Sequence, residues 1–422
     1  MTGPVATRRG RRAGLVVVDQ ALSTLVGFLL SLLCLKSLPG EQFALFTLLY
    51  GWYVAVQCGI RALTGEVAYA RLTDRSGAAR QATTAAAALA VAVALVLAAV
   101  GVLLSAAAVL AFAAVLPAAI AQSALRWAAL ACYRPGLAVL SDAVFLAAFA
   151  GSTIGLTAAG RTLPLPALVL LWGGSAALAA AVVVGHPVLR PAWSSPLRWL
   201  HTTRRFGLPF LAEAVSQSGL NAITPALLAA IAGLHQLALF TAVGLMFGPV
   251  TMLRQASAGL LVGEFVGVGG RPAAVRRLAR TSNLLLASAV AGWTAVIAVV
   301  PASVIHALAG QTAVSARPLV LYYGATLALL AMLDALQAAV RALQRVTLAF
   351  WCRLAGALCL HVSVLVGGWA DGGLGAARAS VVGATAAFGI SFAGLRVSLH
   401  GQRAEPATVA ASSAAELSTR TG

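Results

Sequence analysis

Residues 82–121 read ATTAAAALAVAVALVLAAVGVLLSAAAVLAFAAVLPAAIA and contain no charged side chain. A helix needs roughly 20 predominantly apolar residues to cross the hydrocarbon core of a bilayer. The run is therefore long enough for two membrane-spanning helices, and we place the turn between them near Leu104-Ser105. Such a segment has no face that water would solvate, so it predicts helices embedded in lipid.

The same apolar character extends over all 422 residues, of which 60% are hydrophobic and only 9% are charged. The mean hydropathy is +0.92, whereas a soluble domain carries roughly 25% charged residues. The sequence predicts an all-α, polytopic membrane protein with twelve spans. The spans are placed near residues 14–36, 42–63, 81–101, 104–125, 138–159, 166–185, 207–229, 236–258, 281–300, 318–338, 350–370 and 375–395.

The distribution of basic residues predicts the orientation of these spans. With a cytoplasmic N-terminus, 25 of the 29 Lys and Arg residues fall in inner segments. The four outer ones are Lys36, Arg161, Arg317 and Arg378. Basic residues favour cytoplasmic loops, so we predict a plasma-membrane protein with both termini in the cytoplasm. The net charge of +18 is explained by topology, and nucleic acid is not an expected partner.

Sequence motifs for catalysis are absent. Lys36 is the only lysine and lacks the preceding glycine pattern of a P-loop. The chain has no HExxH motif and no nucleophile elbow, so we do not expect an enzyme. The five cysteines form no CxxC and no Cys/His ligand spacing. We interpret them as small buried hydrophobes, and no metal or cofactor is predicted.

The two halves of the chain resemble each other. Residues 42–47 (QFALFT) match residues 236–241 (QLALFT) at five of six positions. The same offset of 194 places Asp19 on Glu213. Six helices in each half with the same orientation predict a parallel repeat, related by an axis along the membrane normal.

The repeat predicts two lobes joined by an inner linker, with a tail at each end. Trp193 and Trp199 lie among arginines in the linker and suit the membrane interface. The predicted segments are a basic tail (1–13), an N-lobe with its linker (14–205, linker 186–205), a C-lobe (206–396) and a disordered tail (397–422).

Acidic residues inside the spans are candidate functional positions, because a charge near mid-span costs about 2.5–3.5 kcal/mol on insertion scales. Asp19 and Glu213 lie near the cytoplasmic ends of the first helices of the two halves. Matched depth predicts that Asp19 pairs with Arg61 and that Glu213 pairs with Arg254. The pairs either staple neighbouring helices or bind a substrate or ion.

Further candidates lie toward the inner surface. Glu66 and Glu264 follow the second helix of each half and suit an interfacial position. The guanidinium group matches phosphate well, so the arginines after helices 4 and 10 either receive a phosphate at the cytoplasmic mouth or only encode topology. This set consists of Arg126, Arg134 and nearby Asp142 in the first half, and Arg341 and Arg345 in the second.

Four motifs resemble a known family. They are VVDQALS at 17–23, EQFALF at 41–46, GIRALxxE at 59–66 and QxxxRWAxxAxxRPxxAxxxD at 122–142. They are similar to polysaccharide-unit flippases of the multidrug/oligosaccharidyl-lipid/polysaccharide (MOP), MATE-like exporter superfamily, in an actinobacterial form. The resemblance covers about residues 14–396.

The resemblance implies two six-helix lobes around a central cavity that alternates its access. It implies export of a polyprenyl-pyrophosphate-linked saccharide to the outer leaflet, with the isoprenoid tail in membrane lipid and cationic residues meeting the pyrophosphate. A glycan polymerase and glycosyltransferases would be its partners. This chain departs from the pattern because the central halves of helices 1 and 7 carry almost no charge. Either the substrate contacts lie near the inner mouth, or the substrate differs.

Two other functions remain open on the sequence. One is an ion-coupled drug or metabolite antiporter of the same superfamily, which needs an acid deep within a lobe. The other is a membrane assembly partner that transports nothing.

Overall fold

The computed structural model describes the backbone of residues 4–70, 75–192, 195–267, 271–343 and 345–420, which contain helices and no β-strand. The helices of the first part are α1 (Pro4–Ser37), α2 (Gly40–Leu63), α3 (Gly65–Ala70), α4 (Arg75–Leu103), α5 (Ala107–Ala131), α6 (Pro135–Ala158) and α7 (Leu165–Val184). Those of the second part are α8 (Pro196–Ala214), α9 (Leu220–Ala232), α10 (Leu234–Met246), α11 (Gly248–Gly267), α12 (Pro272–Val299), α13 (Ala302–Ser315), α14 (Val320–Ala342) and α15 (Val346–Arg420).

Short irregular turns join some of these helices. A π-helical turn, Val215–Gly219, links α8 to α9, and a 3₁₀ turn, Arg317–Leu319, precedes α14. Among the described residues, nine helices are long and apolar enough to cross a membrane, or up to ten if the bent pair Leu234–Met246 and Gly248–Arg254 forms one span. The all-α membrane fold is thus confirmed, and the count of twelve spans stays a prediction.

The predicted turns at two positions are confirmed. Helix α4 ends at Leu103, and Ser105 adopts a left-handed φ of 50° between α4 and α5. Helix α15 breaks at Asp371 and Gly372, where Gly372 has a φ of 56°. Contacts between the two arms, such as Gly383 against Leu360, show that the chain folds back on itself there. The break therefore separates the two spans predicted at 350–370 and 375–395.

Helical backbone continues into both chain ends, since α1 begins at Pro4 and α15 ends at Arg420. The sequence predicted a disordered tail from residue 397. That tail stays a prediction. The side chains of residues 1–13 and 401–422 lie outside the described part of the chain.

The chain forms two compact units, one of residues 1–245 and 301–316 and the other of residues 246–300 and 317–422. Neither boundary coincides with the lobes predicted at 14–205 and 206–396, which stay predictions. The parallel repeat that would superpose Asp19 on Glu213 is likewise untested.

The first unit is held together by close helix packing and a buried aromatic cluster. Gly173 of α7 lies against Val115 of α5, a contact that only a residue without a side chain permits. The Trp172 ring meets Tyr53 edge-on at 4.9 Å and lies 6.1 Å from Phe145. This packing fixes α2, α5, α6 and α7 relative to one another.

The inner linker helix α8 packs onto the same unit. Trp199 is 3% exposed, and its Nε1 donates a hydrogen bond of 3.1 Å to the carbonyl of Leu63, at the end of α2. A helix leaves its last carbonyls without intrahelical donors, so Trp199 satisfies one of them. The Trp199 indole therefore binds protein, its predicted position at the membrane interface stays a prediction, and Trp193 lies outside the described residues.

The second unit contains polar links between α14 and the last arm of α15. Gln337 donates to Ser391 at 2.8 Å, and the hydroxyls of Thr326 and Ser380 are 2.7 Å apart, all of them buried. Each buried hydroxyl or amide needs a partner in an apolar interior. These pairs therefore fix the rotation of α14 against its neighbour.

Candidate functional site

A buried ion cluster in the first unit centres on Arg126 of α5. Its Nε donates to both carboxylate oxygens of Asp19, at 3.1 and 3.0 Å, and its Nη2 donates to Asp19 Oδ2 at 2.6 Å. The same Nη2 donates to Gln20 at 3.2 Å. Asp19 is 0% exposed and Arg126 is 7% exposed. The pair thus binds α1 to α5 in a site from which water is largely excluded.

Asp142 of α6 supplies a second carboxylate to this cluster. Its Oδ1 accepts a hydrogen bond of 2.7 Å from Gln122, whose amide also donates to Ser141 at 3.1 Å. Its Oδ2 lies 3.1 Å from Arg126 Nε but accepts no hydrogen bond among the described residues, because the single Nε hydrogen points to Asp19. Asp142 is 1% exposed.

The charge of this cluster is unbalanced. Asp19 and Asp142 face one guanidinium group, which leaves one negative charge in excess when both carboxylates are ionised. An unpaired buried charge is costly, so the site favours the arrival of a cation or proton. Arg126 has five donors, three of which are already engaged, and it is poorly placed to receive a phosphate.

The predicted pairing of Asp19 with Arg61 is wrong. Arg61 Nε binds Glu66 Oε1 at 3.0 Å, across the break between α2 and α3, and its guanidinium lies 5.3 Å from the centre of the Trp127 ring. Both members of the ion pair are about one-third exposed. Matched depth along two helices gives the same height in the membrane but not the same side of the bundle, and Asp19 faces α5.

A second ion pair lies within the second unit, where Arg254 Nε is 3.3 Å from Asp334 Oδ2. This pair lacks an aligned hydrogen bond from Nε, and both side chains are about one-fifth exposed. Arg254 therefore faces α14. The predicted pairing of Arg254 with Glu213 stays untested because the side chain of Glu213 lies outside the described residues.

Arg341 and Arg353 also act electrostatically on the Asp334 carboxylate. The positive charges of three arginines thus act on one carboxylate, and Arg254 is the one that forms a described ion pair with it. The predicted candidate Arg345 is exposed beyond the end of α14. The structure therefore brings together Arg254 and Arg341 of the predicted residues and adds Asp334 and Arg353.

The remaining predicted residues lie apart from these clusters. Arg134 is exposed at the start of α6, and Glu264 is exposed on α11. Burial raises the pKa of the nearby Cys132 thiol, and the positive charge of Arg134 opposes that rise. In the described part of the chain, no group of His, Cys, Asp and Glu could hold a metal ion.

Asp334 is a candidate residue that sequence reasoning missed. It is the only charged residue within the predicted span 318–338. The cost of a charge in a span, which singled out Asp19, applies equally to it. The same rule applies to Asp142. Its predicted place was beside an inner loop, whereas its carboxylate is buried on α6.

No protein-family model matches the sequence, and no curated protein matches it. Solved structures do. The lipid II flippase MurJ in an inward closed conformation matches with a TM-score of 0.67 and 9% identity, over 90% of this chain and 87% of that chain. A multidrug resistance MATE family transporter of the MOP superfamily matches in its inward-facing conformation with a TM-score of 0.68 and 15% identity, over 92% of this chain and 96% of that one.

This chain has the fold of the MOP-superfamily transporters. An outward-facing MATE transporter also matches, with a TM-score of 0.60 and 13% identity over 93% of this chain and 95% of that one. The matched proteins are a flippase and transporters rather than enzymes. At 9–15% identity the likeness establishes the fold alone.

Proposed function

We propose that this protein is a MOP-type transporter that moves a lipid-linked saccharide from the cytoplasmic to the outer leaflet by alternating access. The observation that carries this proposal is that Asp334 pairs with Arg254 in the second unit and also feels the positive charges of Arg341 and Arg353. The fold, shared with a lipid II flippase and with MATE transporters in two conformations, is consistent with it.

The chemistry of this cluster suits a pyrophosphate. Guanidinium groups form paired, charge-assisted hydrogen bonds with phosphate oxygens, and the region around Asp334 contains three of them. Asp334 holds Arg254 in place and is not itself a phosphate ligand, because a carboxylate repels phosphate. Arg341 and Arg353 are the groups that we expect to contact the pyrophosphate, while the isoprenoid tail stays in membrane lipid.

Purified protein in liposomes tests this proposal. Lipid-linked saccharide is placed in one leaflet, and its appearance in the other is measured with an impermeant sugar-modifying reagent. We expect Arg341→Gln with Arg353→Gln to abolish translocation. Arg396→Gln is the matched control, since Arg396 lies on the same unit, stacked on Phe392 at 4.6 Å. Absence of translocation by the wild-type protein would overturn the proposal, and absence of both translocation and ion-driven efflux would favour a non-transporting assembly partner.

The Asp142 site favours a second function, an ion-coupled antiporter of a drug or metabolite. Asp142 Oδ2 accepts no hydrogen bond among the described residues, and the carboxylates of Asp19 and Asp142 share the single guanidinium of Arg126. Both features suit the binding of a cation or proton. The same liposomes distinguish the two functions. Efflux of a cationic dye driven by a pH or sodium gradient, lost in Asp142→Asn and without saccharide translocation, would establish the antiporter instead.

In a cell, the proposed substrate is made by glycosyltransferases on one side and consumed by a glycan polymerase on the other. These enzymes are the partners we propose, since a flippase joins their two compartments. Co-purification from membranes after mild cross-linking tests each association separately.

A further inference from the structure

An apolar groove of about 600 Å³ runs between α6 and α7 in the first unit. One wall consists of every fourth residue of α6, namely Ala148, Ser152 and Leu156. The other wall includes Ala167, Gly174 and Leu178 of α7. Ligand sites have volumes of about 300–1,000 Å³, so the groove has the size of a binding site.

The groove accepts only an apolar ligand along its length. The hydroxyl of Ser152 donates to the carbonyl of Ala148 at 2.7 Å, and the hydroxyl of Ser175 donates to Leu171 at 2.8 Å. Both polar groups in its walls are therefore used within their own helices. Leu178 is 51% exposed, and nothing lies within 4 Å of the place where a Cβ of Gly174 would stand.

The length of the groove matches one leaflet of a bilayer. Eleven residue steps separate Ala167 from Leu178 on α7, which correspond to about 16 Å at 1.5 Å per residue. Half of the hydrocarbon core is about 15 Å. A single lipid chain that stays within its leaflet therefore fills the groove from end to end.

A cation stands at one end of the groove. The chain leaves α6 through Gly160, whose φ is 71°, and the backbone N–H of Arg161 donates to the carbonyl of Leu156 at 3.1 Å. Leu156 lines the groove, so Arg161 is fixed one turn from its end. Arg161 is exposed and makes no ion pair among the described residues.

We propose that this groove binds one acyl chain of an anionic phospholipid, whose phosphodiester contacts Arg161. One cation complements the single negative charge of a phosphodiester, whereas a pyrophosphate would require several. The positive-inside distribution makes basic residues scarce at the predicted outer ends of α6 and α7, and Arg161 is the only charged residue of the connecting loop 159–164. The proposal is independent of what the protein transports.

The test measures lipid retained by the purified full-length protein, using native mass spectrometry with phosphatidylglycerol and phosphatidylcholine of identical chains. Gly174→Leu places an apolar side chain in the groove at a position where the Cβ meets no neighbour within 4 Å, and it should reduce phosphatidylglycerol binding about tenfold. Gly292→Leu is the matched control, because Gly292 is equally open and helical but lies on α12. We expect the control to bind as the wild-type protein does.

The charge is tested separately. Arg161→Gln should lower the preference for phosphatidylglycerol over phosphatidylcholine about fivefold, the effect of one basic residue at an anionic surface, and Arg161→Lys should keep the preference. Equal binding by wild type and Gly174→Leu would overturn the site. Retention of undecaprenyl phosphate that exceeds that of phosphatidylglycerol and is lost in Gly174→Leu would overturn the proposed occupant.

Discussion

Replacing Arg126 by Gln should destabilise the protein far more than the same replacement at Arg61. Arg126 is 7% exposed and binds Asp19 through three hydrogen bonds, with Asp142 at 3.1 Å. Its loss leaves two buried carboxylates facing each other without a cation. Breaking a buried ion pair from one side costs about 3–5 kcal/mol, and a second carboxylate places the expected cost at the upper end.

Arg61 provides the comparison because its pair with Glu66 is about one-third exposed. Exposed ion pairs contribute about 0–1 kcal/mol. The lowering of the unfolding temperature by Arg126→Gln should therefore exceed that by Arg61→Gln at least threefold. Cys34 is a free thiol with 0% exposure, so it serves as the probe for a thiol-specific dye once the partly exposed Cys58, Cys132 and Cys359 are replaced by serine.

A triple variant that removes all three charges of the cluster decides between electrostatics and packing. Asp19→Asn and Asp142→Asn added to Arg126→Gln remove every charge while keeping polar groups of similar size. Replacing a whole buried ion cluster is often nearly neutral, so this triple variant should recover most of the lost stability. If the triple variant is no more stable than Arg126→Gln, or if Arg61→Gln is equally damaging, the electrostatic account of the cluster is refuted.

Three further outcomes follow from the structure. Gly310→Ala should lower stability by about 1–3 kcal/mol, since Gly310 has a φ of 81° and an added Cβ would lie 3.1 Å from the Lys36 carbonyl oxygen. Gly233→Ala should cost less in the same thermal assay, because Gly233 has a φ of 90° but open space around it. Trp199→Phe should cost about 1 kcal/mol by removing the hydrogen bond to Leu63, and an unchanged unfolding temperature would show that α8 is held by packing alone. Cysteines introduced at positions 76, 194 and 273 should be shielded from an impermeant maleimide in intact cells, while one at 162 should react. Labelling at 194 would reject the predicted topology.

The helices and their breaks could be predicted because they depend on local features of the sequence. A charge-free run as long as residues 82–121 has to turn once to remain in a bilayer, and Ser105 supplies that turn. The break at Asp371 and Gly372 follows from the same length limit. Helix existence and turn position require no knowledge of neighbouring helices.

Ion-pair partners could not be predicted in this way, because they depend on which faces of distant helices meet. Asp19 and Arg126 are 107 positions apart, and depth along the helix gave Arg61 as an equally reasonable partner. Asp334 could have been chosen as a candidate from the sequence, because it is the only charged residue in the predicted span 318–338. Its three arginines come from α11, α14 and α15, and only folding brings these together.

The two clusters differ in the sign of their excess charge, and this difference constrains the mechanism more than the shared fold does. In the first unit one guanidinium faces two carboxylates, one of which keeps an oxygen without a donor among the described residues. In the second unit Asp334 pairs with Arg254, and the positive charges of Arg341 and Arg353 also act on it. Electrostatics alone makes a cation the better ligand for the first cluster and an anion the better ligand for the second. For the flippase that we propose, we therefore expect the anionic cargo to depend on Arg341 and Arg353 and a coupled cation to depend on Asp142. Loss of saccharide translocation in Asp142→Asn that a steeper ion gradient restores, together with loss in Arg341→Gln that no gradient restores, would support this division of roles.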